Sequence, residues 1–208
     1  VVDMSQTAGL LGLELSSELY DFAVFAGHKT LYGPFGIGGF ICKHGATLSP
    51  VFFGGNGINS VEQNLPDNIV QMEEIGSQNT YAIAGLKAST DWLLERGLED
   101  VRNAEAKNRD RLLACLRDAD FCTVVADGMR CERIGVVSAL FDGFSPDEGE
   151  MVLGRCGVAV RSGIQCAPFA HRFLGTLPAG TIRFSVSALT GDAEFVALER
   201  ALGVIGEA

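Results

Sequence analysis

Between Phe22 and Cys42 the chain reads as strand, glycine-rich turn, strand, and that order limits the folds open to it. Phe22-Ala23-Val24-Phe25 is an unbroken apolar run of strand length, as expected for a strand buried in a parallel sheet. Gly33, Pro34, Gly36, Gly38 and Gly39 then punctuate the way into a second run, Phe40 to Cys42. Upstream, Val1-Val2-Asp3 is a short apolar strand ending in a carboxylate. A βαβ-like segment between these strands would bring Asp3 and Lys29 to one edge of an open α/β sheet. Ligands bind at that edge, beyond the carboxyl ends of the strands. Burial of Lys29 there would disfavour its ammonium form and leave a nucleophilic amine near neutral pH. Such an amine can form a Schiff base with an aldehyde. A lysine snorkelling from a strand end is the plain alternative.

An aspartate facing a pyridine nitrogen and a lysine facing an aldehyde carbon are the partners that pyridoxal phosphate (PLP) requires. A second constellation is Arg161 to Arg172, RSGIQCAPFAHR. Cys166 follows a short loop after the apolar run Val158 to Val160, which reads as a strand. A nucleophilic thiol must be exposed and near positive charge, and Arg161, His171 and Arg172 supply charge within a few residues. A free cysteine is more commonly a packing residue, and the local sequence alone favours that role. Arg183, in GTIRFSVS, stands in a strand of alternating character, where an unpaired charge is costly. A nearby carboxylate is the simplest partner for it.

Taken in order, VVDMSQTAG, DFAVFAGHKTLYGPFGIGGF, EEIGSQNTYAIAGL, RSGIQCAPFAHRFLGT and GTIRFSVS resemble the class V aminotransferase family of PLP enzymes, in its cysteine desulfurase and selenocysteine lyase branch. The resemblance covers essentially the whole chain. It implies an α/β fold of PLP fold type I, aspartate aminotransferase-like. Residues 1–88 would be a partial large domain with a mainly parallel sheet. Residues 89–98 would end a linking helix, and residues 99–208 would form a small α+β C-terminal domain.

The same resemblance implies roles. Lys29 becomes the Schiff-base lysine and Asp3 the partner of the pyridinium nitrogen. Gln6 would hydrogen-bond the phenolic oxygen of the cofactor, and His28 would contribute to phosphate binding. Ser77 would reach the phosphate of the neighbouring subunit in a homodimer. Cys166 would take sulfur from L-cysteine as a persulfide, leaving L-alanine, as in relatives with a compact, sheltered cysteine loop. Arg183, assisted by Arg161, would hold the substrate carboxylate, which suits its bidentate fork. A sulfur-acceptor protein would complete the cycle. Selenocysteine as substrate, plain class V aminotransferase activity, and an inactive folded or dimerising module are the alternatives.

Two positions depart from the family's pattern. Ala26 stands where many relatives carry a phosphate-anchoring hydroxyl, a loss worth roughly 1.5–3 kcal/mol. Gln165 stands where relatives often have the histidine before the cysteine. The chain has no initiator Met and Val1 already reads as core strand, so the resemblance implies that the first half of the enzyme is absent. That half would hold the residue stacking on the cofactor ring and a further phosphate loop, and this chain alone would then bind PLP weakly.

Composition agrees. With 208 residues, 47% of them hydrophobic, the chain can bury one sizeable core or two modest ones. A net charge of −10 without a basic run argues against a nucleic-acid surface. No apolar stretch is long enough to span a bilayer and none has a signal-peptide layout, so a cytoplasmic setting is expected. The six cysteines lack CxxC spacing and clustered histidines, so no zinc site is expected and reduced thiols are the default. Cys42, Cys115, Cys122, Cys131 and Cys156 read as packing residues.

Residues 43–76, with GGNGINS and Pro66, form a long irregular stretch of the kind used for an active-site or dimer-contact loop. A helix over 79–96, rich in Ile83, Leu86, Trp92, Leu93 and Leu94, ends at Gly97. Another helix covers 102–116, and strands cover 121–126 and 135–141. Ser145-Pro146-Asp147-Glu148 combines a capping box with proline at the first helical position. A last helix over 192–205 packs Phe195, Val196, Leu198, Leu202 and Ile205.

Overall fold

The computed structural model describes residues 1–14, 16, 19–55, 57, 59, 61–66 and 68–207. They divide into two compact units, Val1–Leu98 and Glu99–Ala208.

In the first unit, β1 (Val2–Asp3) and β2 (Phe22–Ala26) pair in parallel, with Asp3 opposite Val24. Strand β3 (Gly38–Cys42) runs antiparallel to β2, with Phe22 opposite Cys42 and Ala26 opposite Gly38. The sheet is therefore mixed rather than mainly parallel. Residues 27–37 are a tight connection without the crossover helix that a parallel return needs. Gly27 N–H donates to the Ile37 carbonyl at 2.9 Å, and Gly33 N–H to the Gly27 carbonyl at 2.8 Å. A Cβ on Gly33 would meet that same carbonyl oxygen at 2.8 Å, so this turn closes only on glycine.

The expected βαβ-like crossover is built of turns. Among the described residues between β1 and β2 there is no helix, and Thr7 and Ala8 both donate to the Met4 carbonyl. Leu15, Ser17 and Glu18 of that segment lie outside the described residues. The stretch 43–76 carries the short helix α1 (Ile69–Glu73) and is otherwise irregular where described; Asn56, Ile58, Ser60 and Asp67 lie outside. Helix α2 (Thr80–Arg96) starts where Asn79 accepts from the Ala82 N–H at 3.1 Å and stops at Gly97, whose φ is 88°. It buries Ala82 and Leu93 and leaves Ile83 and Leu94 exposed.

The second unit carries α3 (Leu98–Arg117), β4 (Cys122–Val124), β5 (Val136–Phe141), α4 (Pro146–Arg155), α5 (Pro168–Leu174), β6 (Ile182–Ser185) and α6 (Asp192–Gly206). The sheet is antiparallel in the order β4-β5-β6, with Val137 opposite Phe184. Val137, Ala139 and Phe141 are buried at every second position of β5, the strand period. They join Leu112, Leu116, Leu153, Ile182, Phe184, Phe195, Leu198, Leu202 and Ile205 in one core. Val196 is 50% exposed, because one residue of helix turns it about 100° away from Phe195.

Helix α4 starts on the signal read in the sequence. The Ser145 hydroxyl accepts from Glu148 N–H, and the Glu148 carboxylate accepts from Ser145 N–H at 2.8 Å. The expected strand at 158–160 is absent. Residues 158–160 make no ladder; a single bridge, Arg161 to Arg183, follows them, while Val158 and Val160 pack against the core. Packing, not a ladder, consumes their apolar character.

Glu105 is a buried carboxylate that the sequence reading did not foresee, accepting from Gly135 N–H at 2.7 Å. Burial raises its pKa, against the pull of that hydrogen bond and of the Arg109 charge. No helix among the described residues is long and apolar enough to cross a membrane, and no group of three potential ligands there could hold a metal ion.

Candidate functional site

The sequence-predicted residues fall into two clusters, one in each unit. In the first, Asp3 ends β1 and Lys29 lies in the turn that follows β2. Because these strands are parallel, both residues reach the same edge of the sheet. Lys29 is exposed, contrary to the buried lysine expected. Strand β2 stops at Ala26, so Lys29 lies beyond it, in the turn closed by the Tyr32 N–H to Lys29 carbonyl bond (2.9 Å).

Asp3 accepts from Ser5 N–H at 2.8 Å. Its bonds to the Ser5 side chain and backbone hold its carboxyl below the ordinary range, and the Lys29 charge adds a smaller pull in the same direction. Gln6 is exposed in the turn after β1. The His28 ring is exposed and stacked on Phe35, with centroids 4.8 Å apart and planes inclined by 25°. Thr30 Oγ1, next to Lys29, is buried without a hydrogen-bond partner. Ser77 stands exposed on a different segment, just ahead of the Asn79 cap.

In the second unit, the loop carrying Cys166 is joined to the start of β6. Arg183 N–H donates to the Arg161 carbonyl at 2.7 Å, and Arg161 N–H to the Arg183 carbonyl at 3.1 Å. One step further, Thr181 N–H donates to the Gly163 carbonyl at 3.1 Å. Gly180 packs so closely on Gly163 that any Cβ there would overlap its carbonyl. The Gln165 amide donates to the Arg161 carbonyl at 3.1 Å and to the Thr181 carbonyl at 3.0 Å.

Cys166 follows, exposed, with φ of 64° after a φ of 46° at Gln165. Ser162 anchors the other side of the loop: its N–H and hydroxyl both donate to the Glu150 carboxylate, and the hydroxyl also reaches Asp147 Oδ1 at 2.6 Å. The two Ser162 bonds lower the Glu150 pKa, and the Arg161 charge adds to them.

His171 does not offer Cys166 an exposed charge. It is buried, with Nδ1 2.7 Å from Thr176 Oγ1. Arg172 lies over the Phe169 ring, 5.6 Å from its centroid. Among the described residues Arg183 has no ion pair, and its Nε is buried without a partner, so the simple carboxylate pairing is not what the fold provides.

The six cysteines are all free. Cys115, Cys122 and Cys156 pack against the core as expected, and burial pushes the Cys122 thiol up to about 12 and the Cys115 thiol upward. Cys131 is exposed, so it is not the packing residue expected.

A family model described as Aminotransferase class-V matches residues 1–198. The chain belongs to the class V aminotransferase family. This member is 29% identical over 210 residues to a cysteine desulfurase of Escherichia coli, covering 97% of this chain and 50% of that one. It is 27% identical over 192 residues to a probable cysteine desulfurase of Methanothermobacter thermautotrophicus, covering 89% of this chain and 48% of that one. The apo structure of a cysteine desulfurase from Thermococcus onnurineus superposes with a TM-score of 0.84 at 29% identity, covering 99% of this chain and 51% of that one. The family member thus has the fold type I architecture of these enzymes, and it spans about half the length of the curated relatives it matches.

The sequence reading missed the Gln165 bridge, the grip of Asp147 and Glu150 on Ser162, and the buried Thr30 hydroxyl. For the second of these, Asp147 and Glu150, three residues apart on α4, were the available signal. The other two depend on where a loop folds back, for which no local pattern exists.

Proposed function

We propose that the whole protein is a PLP-dependent cysteine desulfurase, with the cofactor on the Asp3 and Lys29 edge and sulfur received by Cys166. The reading is supported by cysteine desulfurase relatives at 27% and 29% identity. The observation that carries it is the second cluster: an exposed thiol on a loop stitched to the strand whose arginine has a buried, unpartnered Nε. A buried guanidinium nitrogen without a partner is costly, and a substrate carboxylate supplies what it lacks.

The residues present fit PLP. Asp3 is held ionised by Ser5, as a partner for a protonated ring nitrogen must be. Lys29 presents an accessible amine beside it, and the buried Thr30 hydroxyl is an unused hydrogen-bonding group at the same turn. When bound, the cofactor supplies an electron sink for bond changes at the substrate's carbons.

The chain's own groups do the rest. Asp3 keeps the ring proton in place. Lys29 would hold the cofactor's aldehyde carbon, and its amine is the group placed to move the proton at the substrate α-carbon. Gln6 would hydrogen-bond the phenolic oxygen, and His28 would contribute to the phosphate site. Ser77 contributes from the neighbouring subunit of a homodimer. Arg183, with Arg161 beside it, holds the carboxylate of L-cysteine.

The Cys166 thiolate then attacks the substrate sulfur. A sulfur–sulfur bond forms and the carbon–sulfur bond breaks. Its electron pair stays on carbon, which takes up a proton and becomes the methyl group of L-alanine. Cys166 keeps the sulfur as a persulfide for transfer to an acceptor protein.

Borohydride reduction of the full-length protein followed by peptide mapping tests the cofactor half of this reading. A pyridoxyl group is expected on Lys29. Label on any other lysine contradicts the assignment.

A further inference from the structure

We propose that Gln165 is a positioning residue for the Cys166 thiol, acting as a side-chain clamp between the loop and the strand that carries Arg183. The proposal rests on the desulfurase reading above for what the thiol does, but not for the clamp itself.

The backbone ladder between the two segments consists of the Arg161–Arg183 pair and the bond from Thr181 to Gly163. Beyond Gly163 the loop turns away, and backbone pairing ends two residues short of Gln165. The Gln165 side chain takes over, with one amide nitrogen donating to a carbonyl on each segment, Arg161 at 3.1 Å and Thr181 at 3.0 Å. Its Oε1 receives a long contact from the Thr181 hydroxyl at 3.5 Å, and Thr181 is fully buried. The clamp therefore also occupies polar groups that water does not reach.

The conformation it secures is one the chain resists. Gln165 and Cys166 are consecutive non-glycine residues in the left-handed region, which side-chain-bearing residues adopt only when the surroundings over-determine them. Released from the clamp, the loop relaxes toward ordinary backbone angles and carries the Cys166 Cβ–Sγ bond elsewhere. Arg183 lies two residues beyond Thr181, so the clamp fixes the thiol in the same frame as the group proposed to hold the substrate. A glutamine amide does not ionise near neutral pH, so its role is placement and not proton delivery.

The test uses the full-length protein with PLP and two variants, Gln165→Leu and the milder Gln165→Asn. Leucine keeps the bulk and loses both bonds, whereas asparagine keeps the amide but is one methylene short. Three measurements are made: steady-state alanine formation from L-cysteine, exchange of the α-proton of L-alanine in D2O, and amide hydrogen exchange at Ala167 and Thr181. In Gln165→Leu, kcat for alanine formation is expected to fall by about ten- to a hundredfold, as for a reacting group displaced by about an ångström. KM is expected to stay within about threefold of the native value, with Gln165→Asn between the two.

Exchange of the α-proton needs Lys29 but not the thiol, so it stays at the native rate, while amide exchange at Thr181 and Ala167 accelerates. An unchanged kcat, or a loss of kcat matched by equal loss of α-proton exchange, overturns the proposal; the second pattern marks general structural damage. Absence of α-proton exchange in the native protein counts against the desulfurase reading instead. In that case amide exchange still decides the clamp, which fails if Gln165→Leu leaves Thr181 and Ala167 as protected as before.

Discussion

The two units hold their functional residues in different ways. Residues 99–208 fold around one continuous core in which three helices cover an antiparallel sheet; a backbone ladder fixes Arg183 to the loop as far as Gly163, and the Gln165 side chain extends that hold toward Cys166. Among the described residues of 1–98 the buried apolar side chains are Ala8, Leu10, Tyr20, Ala23, Ala82 and Leu93, with no comparable cluster, while Phe52 and Phe53 are 72% exposed. There, Asp3 and Lys29 owe their places to a short parallel pair and a glycine turn. Cys166 and Arg183 thus rest on the stability of their unit. Asp3 and Lys29 rest on local geometry that little packing among the described residues supports.

The sharpest contrast is in truncation of apolar side chains. Leu153→Ala, at a fully buried position of α4, should cost about 2–5 kcal/mol in urea unfolding followed by a probe in residues 99–208. Phe52→Ala should stay within about 0.5 kcal/mol. Similar losses at both positions would erase the distinction between the units.

A smaller effect comes from the charge inside the second unit. The folded-state pKa of Glu105 is raised above its ordinary value near 4.5, mainly by burial. Below that value the carboxyl is protonated in both folded and unfolded chains, and stability is greatest. As pH rises, the unfolded chain gives up its proton first. Stability then falls until the folded carboxyl also ionises, above which the deficit is constant. Glu105→Gln keeps an acceptor for Gly135 N–H and carries no charge. Its Tm should therefore gain on the native protein as pH rises from about 4 to about 7. A relative loss over that range would mean that the Arg109 charge outweighs burial.

The parts of this structure that the sequence revealed are those written in neighbouring residues. The capping box at Ser145, the stop at Gly97 and the run of β2 depend on local chemistry, and each appears where it was read. The antiparallel return of β3 and the loss of a strand at 158–160 depend on which segment arrives alongside.

Site residues follow the same division. Asp3, Lys29, Cys166 and Arg183 stand out by type and spacing. The exposure of Lys29, the inward turn of His171 and the double bond of Gln165 are decided by the direction in which a turn faces. Spacing along the chain carries no record of that direction.

The division of labour between the units can be read in one mass-spectrometric measurement. The full-length protein is mixed with L-cysteine, blocked with an alkylating reagent and digested, and each cysteine peptide is examined for an added sulfur atom. Cys166 and Cys131 are the two exposed thiols, so accessibility alone does not separate them. Added sulfur is expected on Cys166 and not on Cys131, and none on either in Lys29→Ala, where the cofactor side is disabled. Sulfur on Cys131 in place of Cys166, or on Cys166 regardless of Lys29, would contradict the assignment of cofactor chemistry to one unit and sulfur capture to the other.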